Sequence, residues 1–221
     1  LSNASTANRI AGGAVTVAGS LGSASITVAA AASAKTVAKQ INDKSDDTGV
    51  TATAKTEFDL TGFTLSGAYS LNITSNNTTA TTVSFTMGAV ADADGLAGAI
   101  NAINDATAKT GVSAKVNTAG SGITLLNSSG ENITITNTIG IVTVGGGGTT
   151  ASGTTNIGSG QLVLDSDRSF AVTAANTTDF FKAAANASAL QKTSQVDVSN
   201  VDAANRTIAL VDGALQAVNG Q

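Results

Sequence analysis

Residues 34–42 read Ala-Lys-Thr-Val-Ala-Lys-Gln-Ile-Asn, and Thr48-Gly49-Val50-Thr51-Ala52 begins six residues after Asn42. Val37, Ala38 and Ile41 recur at i, i+1 and i+4, which draws one apolar stripe along a short helix. Ser33 stands where an N-cap belongs, its oxygen available to the unpaired N–H groups of the first turn. Gly49 suits a left-handed stop. On either side, Ser25-Ile26-Thr27-Val28 and Val50 to Ala54 alternate apolar with small polar residues, the period of a half-buried strand. The stretch therefore predicts strand, capped helix, strand.

The same order returns downstream as Ser84-Phe85-Thr86-Met87, Asp92 to Asn101 and Thr110-Gly111-Val112-Ser113-Ala114. Leu96, Ala97 and Ile100 repeat the stripe, Asp92 takes the capping place of Ser33, and Gly111 that of Gly49. The first two blocks align without a gap, with Ile100-Asn101 against Ile41-Asn42; three extra residues then fall between the second and third blocks. A loop lengthened by three residues costs only a few tenths of a kcal/mol, so the correspondence survives. Asn127-Ser128-Ser129-Gly130 between Ile123-Thr124-Leu125 and Ile133-Thr134-Ile135 reads as a hairpin turn. Leu162-Val163-Leu164, Asp165-Ser166-Asp167-Arg168 and Phe170-Ala171-Val172 read as a second hairpin.

The chain ends differently. Val201, Ala204, Ile208, Val211, Leu215 and Val218 are spaced alternately by three and four residues, a heptad seam. A helix with such a stripe is marginal alone in water, so the seam predicts an apolar partner. No second heptad segment of similar length occurs, which leaves as that partner a neighbouring subunit, a missing helix or, if the helix folds back, the β-rich part of its own chain.

Composition removes most chemistry. In 221 residues there is no His, Cys, Pro or Trp. Thiolate and imidazole metal sites, Ser-His and Cys-His nucleophile pairs and disulfides are all excluded. No enzymatic activity, catalytic residue, metal site or cofactor is expected. The net charge of −4, with cations scattered singly, argues against nucleic acid. The most apolar stretch is too short and too interrupted for a membrane span. The glycine run Gly145 to Gly148 lacks the Lys-Ser/Thr that ends a phosphate cradle. Asp92-Ala93-Asp94-Gly95 has a calcium-loop look without its further ligands, and reads better as an acid-decorated helix start.

Val196-Asp197-Val198-Ser199 through Ala203-Ala204, Ile208, Asp212, Ala214-Leu215 and Val218-Asn219 resembles the start of the C-terminal core helix of bacterial flagellins. The run at 34–42 with Thr48-Gly49-Val50 is similar to the flagellin IN motif of the variable outer region, and 93–101 with 110–112 to a looser second copy. The 162–172 strands resemble the β element placed before the core helix. The resemblance implies a structural subunit of the flagellar filament, secreted and built into the flagellum at the cell surface, for motility. It implies other flagellin subunits as partners, with an export chaperone and a glycan as further candidates. It also implies a truncated chain lacking the terminal helices that polymerise.

The expected architecture is thus an elongated α+β protein. A β-rich outer domain, 1–159, would hold two strand-helix-strand units at about 14–56 and 67–138. A core-side segment, 160–221, would close in a β-hairpin and a long C-terminal helix. The residues expected to matter are Ile41, Asn42, Gly49, Val50, Ile100, Asn101, Gly111 and Val112 in the repeats, and Val201, Ala204, Ile208, Val211, Leu215 and Val218 in helix packing. The alternative is a cell-surface, adhesin-like module binding extracellular polysaccharide, for which Lys35, Lys39 and Lys44 would supply a basic patch; the scarcity of aromatics for sugar stacking weighs against it.

Overall fold

A computed structural model describes residues 4–145, 149–175, 180, 185–189, 204, 207, 208 and 211. In chain order its elements are β1 (Ala4–Ser5), β2 (Gly13–Ala18), β3 (Ser23–Val28), α1 (Ala34–Asn42), α2 (Ser45–Thr48), β4 (Thr51–Thr61), β5 (Ala68–Thr74), β6 (Thr81–Thr86), α3 (Ala93–Asp105), α4 (Thr107–Thr110), β7 (Ser113–Val116), β8 (Ile123–Asn127), β9 (Ile133–Ile139), β10 (Val142–Val144), β11 (Thr149–Thr150), β12 (Thr155–Gly158), β13 (Gln161–Asp165), β14 (Ala171–Ala174) and β15 (Ala185–Ala187). They form a four-stranded sheet, β15-β14-β2-β3, and a five-stranded sheet, β1-β12-β9-β5-β6. A third sheet runs β11-β10-β4-β8-β7, with β13 also on β4. Every pairing is antiparallel.

Both strand-helix-strand units are present, and each is the middle of a larger repeat. In the first, the β2-β3 pair leads through α1 to β4; β13 pairs with β4, β14 with β2, and β15 with β14. In the second, the β5-β6 pair leads through α3 to β7; β8 pairs with β7, β9 with β5, and β12 with β9. The connectivity is the same. The second unit, however, lies in sequence between β4 and β13, so it is inserted into the first. The long strand β4 joins them: Thr51 to Lys55 face β13, and Thr56 to Leu60 face β8.

Two apolar cores follow this division. One gathers Val15, Val17, Ile26, Val28 and Val172 from the four-stranded sheet around Val37, Ala38 and Ile41 of α1, with Val50 and Ala52. The other packs Leu71, Ile73, Ile133 and Ile135 against Phe58, Leu60, Ile123 and Leu125, with Leu96, Ala99 and Ile103 of α3 among them. Alternating in-out patterns along the strands supply both.

Two expectations are corrected. The structure is β-rich, 41% strand against 19% helix, and among the described residues only two helices have seven residues or more and no long C-terminal helix is shown. The longest described helix is α3, thirteen residues. Most of the 190–221 segment lies outside the described residues, Val201, Leu215 and Val218 included.

The 162–172 hairpin is also not formed. Both strands exist, but β13 joins β4 while β14 joins β2, in different sheets. The turn read at 127–130 behaves identically, sending β8 to β4 and β7, and β9 to β5 and β12. These are the same corner in the two units. Turn residues reverse the chain locally, but the burial of each strand's apolar face selects its pairing partner. Side chains tie each corner to the helix exit of its unit: Ser166 Oγ donates to Gly49 O at 2.6 Å, and Asn127 Nδ2 donates to Asn76 Oδ1, beside Gly111, at 3.0 Å.

Candidate interaction surfaces and the helix-exit motif

The helix exit of each unit is built by a few side chains. Ser33 Oγ accepts from Thr36 N–H at 3.3 Å, and Asp92 Oδ1 from Gly95 N–H at 3.0 Å. Both are N-caps. Asp92 is thus engaged as the cap of α3, and Asp94 stands in its first turn; among the described residues no group of three Asp, Glu, His or Cys side chains converges.

At the other end, Asn42 grips one peptide of the returning strand. Its Oδ1 accepts Ala52 N–H at 2.7 Å, and its Nδ2 donates to Ala52 O at 2.9 Å. The carboxamide presents a donor and an acceptor side by side, as a neighbouring strand would. It therefore closes an edge of β4 that would otherwise be open. Six residues on, the buried Thr48 donates to Lys44 O and accepts Val50 N–H, and Gly49 follows at φ +72°.

The second unit repeats this with Asn104, not Asn101. Asn104 Oδ1 accepts Ala114 N–H at 2.7 Å and Nδ2 donates to Ala114 O at 3.0 Å. Thr110 donates to Ala106 O and accepts Val112 N–H, and Gly111 lies at φ +70°. Ile103 is fully buried, as Ile41 is, while Ile100 is partly buried against the same core and Asn101 is exposed. The three extra residues thus lie within α3, ahead of Ile103. Three residues are nearly one turn, which leaves the stripe on almost the same face. The signal was available: Ile41-Asn42-Asp43 and Ile103-Asn104-Asp105 stand at identical distances from their Thr-Gly-Val.

Val50 and Val112 are both fully buried beyond the left-handed glycines. A Cβ on Gly111 would run into the side chain of Asn76, so its backbone angle and its surroundings both favour glycine.

The basic patch does not form as expected. Lys35 pairs with Glu131 at 3.4 Å, Lys39 with Asp43 at 2.7 Å and Lys44 with Asp47 at 3.5 Å. Each cation faces a carboxylate, so no uncompensated cluster awaits a polyanion. Exposed apolar residues gather elsewhere. Leu65, Val90 and Ile141, on loops, and Ile139, the last residue of β9, are each about half exposed. Of the seam residues, Ala204 is half-buried and helical; Ile208 and Val211 are 59% and 43% exposed. No described helix is long and apolar enough to cross a membrane.

Residues 14–77 match the family model of the flagellin hook IN motif. The match runs from β2 past the end of β5, and so takes in the Asn42 clamp and the Thr48-Gly49 exit; it covers under a third of the chain. No curated protein matches the sequence.

Proposed function

We propose that this chain, whose residues 14–77 match the flagellin hook IN motif, is the surface-exposed part of a flagellar filament subunit, with a structural role and no catalysis of its own. The observation that carries this reading is that the matched residues hold the β2-β3 hairpin, the capped helix α1 and the clamped returning strand β4 of the first unit, and run on into β5 of the second. The inserted unit, with the same connectivity and the same clamp at Asn104, is a diverged second copy that extends the outer region. Such a protein is secreted and works outside the cell, held in place by neighbouring subunits. Support for a packing role of the C-terminal seam comes from Ile208 and Val211, apolar side chains that their own chain leaves exposed.

The test is immunogold labelling. An antibody raised against the purified chain should decorate extracellular flagella of the source cells along their length. Label confined to the cell body, or flagella left bare, would overturn the proposal.

A further inference from the structure

We propose that the free edge of β6 is a self-association surface, pairing antiparallel with β6 of a second copy of this chain. Met87 N–H donates to Gly67 O at 2.9 Å, directly across the hairpin, which fixes the alternation of the ladder. Phe85, Val83 and Thr81 therefore bond β5. Thr82, Ser84 and Thr86 turn their N–H and C=O groups away from β5, and all three are exposed. Thr82 and Ser84 use their hydroxyls on Asn72 and Ser70 of their own sheet. Among the described residues nothing takes up their backbone groups on the open side.

Three other edges among the described residues carry a guard. Asn42 and Asn104 close β4 and β7. The equivalent strand in the first unit, β3, has its outward Thr27 carbonyl occupied by Gln40 Nε2 at 3.2 Å. Natural edges are otherwise blunted by charge, proline or a bulge. β6 has none of these: its register with β5 is regular, and the five strands of its sheet contain no Asp, Glu, Lys, Arg or Pro.

Two properties select a second copy as occupant. The pairing is isologous, since Thr82 opposite Ser84 of the second copy repeats itself by two-fold symmetry and closes with four backbone bonds. It also brings only uncharged strands together in a protein of net charge −4, so like-charge repulsion is least there. Val83 and Phe85 remain in their own core, and because Gly98 of α3 lies against the Thr86 carbonyl, the pairing is confined to Thr82 and Ser84. This contact is separate from any packing of the C-terminal seam, and either can fail without the other.

The experiment is sedimentation equilibrium of this chain from micromolar to millimolar concentration, with hydrogen exchange read at Thr82 and Ser84. A monomer–dimer equilibrium is expected, with both amides slowing as concentration rises. Thr82→Lys places charge on each edge and should weaken dimerisation by at least about tenfold. Ser84→Pro deletes an edge donor that β5 does not use and should do the same. A chain that stays monomeric throughout, or a dimer whose dissociation constant Thr82→Lys leaves unchanged, would overturn the proposal; if Ser84→Pro does not fold, Thr82→Lys decides.

Discussion

Replacing Asn104 by alanine removes two hydrogen bonds, to Ala114 N–H and Ala114 O, and leaves that peptide without its partner. At about 1 kcal/mol net for each bond, the loss is about 2 kcal/mol. Alanine is the better helix former by about 0.6 kcal/mol, which offsets part of it. The expected destabilisation is therefore about 1.4 kcal/mol, or about 3–6 °C in melting temperature for a chain of this size. The companion substitution Asn101→Ala touches an exposed residue on the same helix, one turn earlier, and should be neutral or slightly stabilising. Urea and thermal unfolding measure both. Exchange of the Ala114 amide adds a local readout, expected to speed up about tenfold in Asn104→Ala only. If Asn101→Ala costs as much as Asn104→Ala, or Asn104→Ala costs nothing, the placement of the second motif at Ile103-Asn104 is wrong.

Further outcomes follow from the same geometry. Gly111→Ala forces a left-handed alanine against Asn76 and should destabilise by about 2 kcal/mol or more in urea melts. Gly120→Ala, at φ +75° with open space around it, should cost only the backbone term of about 1 kcal/mol. Asp92→Ala removes an N-cap and should cost about 0.5–2 kcal/mol, while added calcium leaves the melting curve of the unaltered protein in place. Ile41→Ala opens a cavity at a fully packed site and should cost about 2–5 kcal/mol; exchange should rise first in the amides of β2, β3 and β14, whose core it shares. Thr56 and Gly160 lie side by side, where β4 and β13 pair. Joining residue 56 to residue 160 by a two-residue Asn-Gly turn should therefore leave a folded first unit, visible as dispersed amide signals and a cooperative melt; a molten product would refute the nested arrangement.

Local structure was largely written in the sequence. Ser33 and Asp92 cap, Gly49 and Gly111 stop, and Ile26, Val28, Val37 and Ile41 fill one core, because capping, left-handed φ and apolar period are properties of a few neighbouring residues. Partner choice was not. β8 and β9, like β13 and β14, carry turn residues between them and yet enter different sheets. Which strand meets which depends on covering both apolar faces at once, and so on residues as far apart as Ala174 and Val15, 159 positions in the chain. The second motif shows the same limit on a smaller scale. Ile100-Asn101 and Ile103-Asn104 differ by nearly one turn, so helical periodicity fits either pair; the spacing to Thr-Gly-Val favours Asn104, and its bonds to Ala114 N–H and C=O select it. The sequence by itself determined the strands and short capped helices of the two units; the tertiary structure alone decided the nesting of one unit in the other and the strand edge left open, because both arise from contacts between segments remote in the chain.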